Sequence, residues 1–211
     1  MPTKRAYLEV GKKSVFVLAL DWPGWARRST TPERAVEELT NYQERYEKIV
    51  GHVLPAGKIT IVGSVAGNAT TDFGAPGVVG PWDEKPDTKR ERLHQVELLE
   101  RCWNYFDEVV AKAPNTLTKG PRGGGRDRDQ IVDHVRETER AYAPKMGLRI
   151  PPRTAWSEQR SLLSAQLRAG YSGQAWPQLY AVRRLAWHVV DHAWEIEDKS
   201  TATTTGIGSD H

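Results

Sequence analysis

The stretch AWHVVDHAWEIED, residues 186–198, decides how this chain is read. Its histidines, His188 and His192, stand four apart, a spacing that puts both imidazoles on one face of an α-helix. Steps of three and four extend that row to Ala181, Leu185, His188, His192 and Glu195, with Trp187, Val190, Trp194 and Glu197 lying off it. The imidazoles therefore continue an inward stripe instead of facing water. A second helical stretch, IVDHVRETERAY at 131–142, adds His134 on a face shared with Ile131, Val135, Thr138, Ala141 and Tyr142. Asp129, Asp133, Arg136, Glu137 and Arg140 take the other side.

A polar group buried on a packing face needs a partner. Core imidazoles can find one in Tyr, Asp or backbone groups. Two imidazoles from one helix and a third from another can equally hold one divalent metal, leaving a coordination position open, as catalytic sites do. His52, at a helix end, and His94, on a polar shoulder beside Arg90 and Glu97, stand outside this set.

Working outward, helical patterns cover 88–113, 127–146, 154–169 and 176–199, separated by the breakers PNTLTKGPRGGG, GLRIPP and GYSG. Leu93, Val96, Leu99, Trp103, Phe106 and Val110 mark the core stripe of the first. Four amphipathic helices with short connections predict an all-α four-helix bundle over 88–199. Upstream, AYLEV alternates, SVFVLAL is a buried strand run, GWARRS follows the Pro23-Gly24 turn, and KITIVGSV is a further strand. Between them Thr31 caps a helix with Pro32 at its first position, Glu33 in its first turn, and Ala35, Leu39, Tyr42, Tyr46 and Ile49 as its stripe. The expected class is thus an α+β domain over 1–66, ordered β-β-β-α-β, followed by the helical bundle. Residues 67–87, rich in Gly, Pro, Asp and Thr, read as a linker, and 200–211 as a disordered tail.

Composition narrows the function. Thirty Lys and Arg against 27 Asp and Glu give a net charge of +3, dispersed along the chain with no basic arm, so no nucleic-acid partner is expected. The opening MPTKRAYLEVGKK has no apolar core of a signal peptide, and no apolar run reaches membrane length, so a cytoplasmic protein without a membrane partner is expected. The single cysteine, Cys102, cannot form an internal disulfide and reads as a packing residue. The eight tryptophans read as core or interface mass. Gly123-Gly124-Gly125 lacks both a Walker lysine and a preceding strand, so it reads as a flexible lead into the next helix and not as a phosphate loop. There is no G-x-S-x-G elbow and no Cys-His pair.

Two resemblances follow from these motifs. Asp21-Trp22-Pro23-Gly24, six residues, then Thr31-Pro32-Glu33-Arg34-Ala35 resembles the D-x-P-G-x6-T-x-E-x-A pattern of small HicB-like domains, a pattern of turn, edge strand and capped helix. That family's DNA-binding appendage has no counterpart here, and the front half is expected to form a lid or a homodimer face. IVDHVRETERAY and LAWHVVDHAWEIED together resemble the DinB/YfiT-like superfamily of metal-binding four-helix bundles over about residues 88–199. That resemblance implies a divalent metal, zinc before nickel, iron or manganese, on His134, His188 and His192. It further implies a small-molecule substrate and a transferase or isomerase using a low-molecular-weight thiol of the mycothiol or bacillithiol kind. A metal-dependent hydrolase and a non-catalytic ligand-binding or regulatory protein are the alternatives. Glu195, three residues after His192 on the same face, is the expected catalytic base. Holding a ligand imidazole from outside, or a salt bridge at the bundle end, are its other roles. Asp191 is expected to be structural, and Arg183 and Arg184 to be surface arginines or receivers of an anionic substrate group.

Overall fold

A computed structural model describes residues 4–120 and 125–204 of the 211-residue chain. It is an α+β protein. Strands β1 (Arg5–Val10), β2 (Val15–Ala19), β3 (Ala26–Ser29) and β4 (Thr60–Ala66) form one sheet in the order β3-β2-β1-β4. The first three pair antiparallel, and β4 returns parallel to β1. Every residue of β2 is buried because both faces of the sheet are covered. Ala6, Val17 and Ala19 face Ala35 and Leu39, whereas Tyr7, Phe16 and Leu18 face Trp187 and Trp82.

Thr31 caps the first helix as expected, its hydroxyl accepting from the Arg34 amide. The single helix read from the sequence is two, α1 (Pro32–Asn41) and α2 (Gln43–Val50). Near the break the Thr40 hydroxyl donates to the Val36 carbonyl, a back-bond that bends helices. Tyr42 leaves helical geometry and lays its ring under the Arg27 guanidinium, 3.7 Å away, and against Trp194.

Residues 67–87, expected as a linker, hold a short helix α3 (Ala69–Phe73) capped by Asn68. This segment is pinned to the sheet. Buried Glu9 of β1 accepts from Thr71 Oγ1, and from the Gly77 and Val78 amides at 2.8 and 3.1 Å. Trp82 stacks on Tyr7, and Asp83 pairs with Arg183.

Four longer helices follow: α4 (Lys89–Lys112), α5 (Arg128–Tyr142, continued by a 3-10 turn at Ala143–Met146), α6 (Trp156–Ala169) and α7 (Gln178–Thr204). Their bounds match the sequence spans to within a few residues. At the end of the chain α7 continues to Thr204, so the expected tail is helical over 200–204, and 205–211 lie outside the described residues. Gly123 and Gly124 lie outside them too. Glu139, which the periodicity left unassigned, is buried and ties α5 to α6 by accepting from Trp156 Nε1 at 2.7 Å and pairing with Arg160. Ala141, expected on the inner face, is exposed. Among the described residues no helix is long and apolar enough to cross a membrane.

One core runs through both halves, from Ala6 and Val17 by way of Trp22 and Trp25 to Leu99, Val190 and Ile196. The Trp22–Trp25 turn is the plug between them. Pro23 O accepts from Tyr46 Oη at 2.7 Å, and Trp25 Nε1 donates to Leu39 O at 2.9 Å. Gly24 has φ +94°, and a Cβ there would lie 3.1 Å from both Cys102 Sγ of α4 and a methyl of Val190 on α7. Cys102 is indeed a buried packing residue, its thiol pushed well up from its ordinary pKa by burial. Gly24→Ala should therefore lower the unfolding free energy by about 2–4 kcal/mol, combining an unfavourable φ with overpacking. A loss under about 1 kcal/mol in urea unfolding would contradict so tight a plug.

Candidate metal centre

Helix α7 is buried nearly all round from Tyr180 to Ile196, because α4 packs along one side and the sheet covers another. Trp187, Val190 and Trp194, off the histidine row in the sequence, are therefore as buried as the residues on it. His188 and His192 keep 7% and 9% of their surface, open to one cavity, and His134 reaches the same point from α5. One ring nitrogen from each of the three lies within 4.8 Å of the others. The Nε2 atoms of His134 and His188 are 3.3 Å apart, and the three ring centroids lie 4.7–5.1 Å from one another. His52 and His94 are exposed and take no part.

The protons on these rings follow from their neighbours. Glu195 Oε2 lies 2.8 Å from His192 Nδ1, and Lys199 Nζ donates to Glu195 Oε1 at 2.7 Å. Burial works to raise the Glu195 pKa, but these two bonds and the charge of Lys199 outweigh it and hold the group at about 2. An ionised carboxylate only accepts, so His192 Nδ1 donates in this bond and Nε2 is the ring nitrogen left for another partner. Burial, helped by His192 and Arg126, lowers His134 to about 4. His188 is driven well below its ordinary range, first by burial and then by His192 and His134. His134 and His188 are thus neutral near pH 7, with lone pairs to offer.

The fit to a metal can be judged from this donor set. Three nitrogens about 2.0–2.1 Å from a tetrahedral zinc stand about 3.3 Å apart, the separation found between His134 and His188. The set is all imidazole with a carboxylate behind one ring, a familiar arrangement at zinc.

The three rings stand in the wall of a cavity of about 1050 Å³. Its other walls include residues that periodicity could not find: Phe16, Ala26 and Arg28 from the sheet, Phe73 at the end of α3, and Gly74 just after it. Arg184 and Asp191, noted in the sequence, line it too, and Asp191 faces Arg27 at 3.7 Å. Arg183 does not, since it is buried against Asp83. The one local signal for the front wall was Phe73, an aromatic in a Gly- and Thr-rich stretch, which stands 90% exposed.

No protein-family model, no curated protein and no solved structure matches the chain.

The proton positions give a pH dependence. Unfolded histidine titrates near pH 6.5, whereas folded His134 does so near 4. Between these values the unfolded chain binds more protons, so stability falls as pH drops through this window, and Glu195 extends the loss toward pH 2. The urea midpoint of the metal-free chain should fall steadily from pH 7 to about pH 4, with a shallower slope in His134→Gln. A midpoint that ignores pH in that range would mean that the folded rings are already protonated.

Proposed function

We propose that this chain is a metal-dependent enzyme whose divalent cation, zinc in the first instance, is held by His134, His188 and His192 in a DinB-like four-helix bundle made of α4 to α7. In this reading it is a thiol-dependent transferase or isomerase. The observation that carries the proposal is the convergence of three imidazoles, one of them held by a carboxylate, in the wall of a large cavity. A cation bound there supplies a Lewis acid that brings the pKa of a water or thiol ligand toward neutrality.

The chain's own residues do the rest. Glu195 holds His192 so that Nε2 faces the site, and Lys199 holds Glu195. Glu195 is a positioning residue in this reading, and not the base expected from its place on the helix. A carboxylate held at about 2 is ionised at neutral pH but too weak a base to take a proton efficiently, and its two oxygens are engaged by His192 and Lys199. The α+β half closes the cavity with Phe16 and Arg28, which excludes bulk water from one side. That is its role here, and binding nucleic acid is not.

Elemental analysis of protein purified without a histidine tag tests the centre. Metal should be lost from His188→Ala and His192→Ala and kept in His94→Ala and His52→Ala, and equal content in all four variants would overturn the assignment. Turnover with electrophilic substrates should require an added low-molecular-weight thiol, and thiol-independent ester or amide cleavage would make the protein a hydrolase instead.

Glu195→Gln separates the two roles of that residue. Metal affinity, measured by competition with a chromophoric chelator, should weaken by about ten- to a hundredfold. An unchanged affinity with turnover cut about a hundredfold would restore Glu195 as the base.

A further inference from the structure

The wall of the cavity away from the three imidazoles has a chemistry of its own. Phe16 of β2 meets Trp187 of α7 edge to face, with ring centroids 6.0 Å apart, and Trp187 lies beside the ring of His188. This aromatic pair is flanked by two arginines, one from each half of the chain. Arg184 stands one turn before His188 with its guanidinium 4.7 Å from the Trp187 ring and 5.4 Å from the Tyr142 ring. Its Nη1 donates to Pro76 O at 2.6 Å and the side chain also bonds to Tyr142, which fixes the guanidinium in the cavity lining. Arg28 is the cross-strand partner of Phe16 and so projects from the same face of the sheet. Its guanidinium lies against Gly74, where a Cβ would meet it, and it forms no ion pair among the described residues.

The charges around the space favour an anion. Of the two carboxylates in its lining, Glu195 is bound to His192 and Lys199 and Asp191 faces Arg27. Arg28, Arg184 and, near His134, Arg126 are cations without a carboxylate partner among the described residues. Guanidinium groups beside aromatic rings in a partly dehydrated cavity suit a planar oxyanion joined to an apolar body. Phe73, an aromatic left 90% exposed on α3 next to Gly74, gives such a body a second surface at the mouth.

We propose that the cavity takes a small organic carboxylate, its charged group received by Arg184 and Arg28 and its apolar body lying along Phe16, Trp187 and Phe73, so that the α+β half selects the substrate of the metal centre. The proposal rests on the metal-enzyme reading for the words "substrate" and "centre", but the anion site itself does not need a metal. That independence shapes the test.

Binding is measured by isothermal titration on metal-free and zinc-loaded full-length protein. The probes are phenylacetate, its neutral isostere phenylacetamide, acetate, and phenyl phosphate. Phenylacetate should saturate the metal-free protein and bind more tightly than phenylacetamide or acetate, with an affinity that falls as salt is raised. Arg184→Met, which keeps the apolar stem, should weaken phenylacetate by about ten- to a hundredfold and leave phenylacetamide unchanged. Arg28→Met, on an exposed side chain, should act in the same direction, and Phe73→Ser should weaken both phenyl compounds alike. Far-UV circular dichroism and zinc content verify the fold of each variant.

Failure to saturate with phenylacetate, or equal affinity for it in wild type and both arginine variants, overturns the proposal. Tighter binding of phenyl phosphate with the same arginine dependence overturns the choice of a carboxylate. Arginine-dependent binding in a protein that takes up no zinc would uphold the anion site and sink the metal-enzyme reading, so the two ideas can fail separately.

Discussion

Gly24 has no side chain, and the contact between sheet and helices depends on that absence. The turn that carries it enters a space bounded by Cys102 on α4 and Val190 on α7, where one added carbon would sit 3.1 Å from each. Around it, Tyr46 and Trp25 use their polar atoms on backbone carbonyls, so the plug is apolar outside and satisfied inside. Everything that brings sheet residues to the imidazoles follows from this seating. Phe16 reaches Trp187, and Tyr42 and Arg27 reach Trp194, because the strands are held at that depth.

Helix α7 bears the other half of the load. Val189, Val190, Ala193 and Ile196 are fully buried in the core while His188 and His192 open to the cavity from the same two turns. A helix in that position has little solvent-facing surface on which to place polar groups, and several of its charged ones are engaged. Glu195 holds His192, Lys199 neutralises Glu195, and Arg183 pairs with Asp83. The site is built from the groups that such a helix could not leave idle.

How much of this was legible in the chain depends on range. The helix spans, the Thr31 cap and the inward direction of His188 and His192 are set by residues within a turn or two, where spacing determines which face a side chain takes. The meeting of His134 with that pair was expected from two separate stripes and from the resemblance of the two motifs to a metal-binding four-helix bundle. What stayed hidden was set by contacts across the fold. Glu139 is buried because Trp156, Gln159 and Arg160 come to it, and no pattern local to α5 announces that. The adjacent Arg183 and Arg184 look alike in sequence, yet a helix turns them to different neighbours, one to Asp83 and one to the cavity. The helix break at Tyr42 and the order within 67–87 likewise depend on partners far along the chain, Trp194 for the first and Glu9 for the second.

Glu9 also bears on which parts of the fold can move. A single carboxylate inside the sheet grips Thr71, Gly77 and Val78, while Asp83 grips Arg183 from the same segment. The segment that joins the halves is thus fastened near both its ends, with the Gly24 plug beneath it. The motion left to the cavity wall is that of side chains such as Phe73, 90% exposed, which rotate on the timescale of rotamers, orders of magnitude faster than a domain swings.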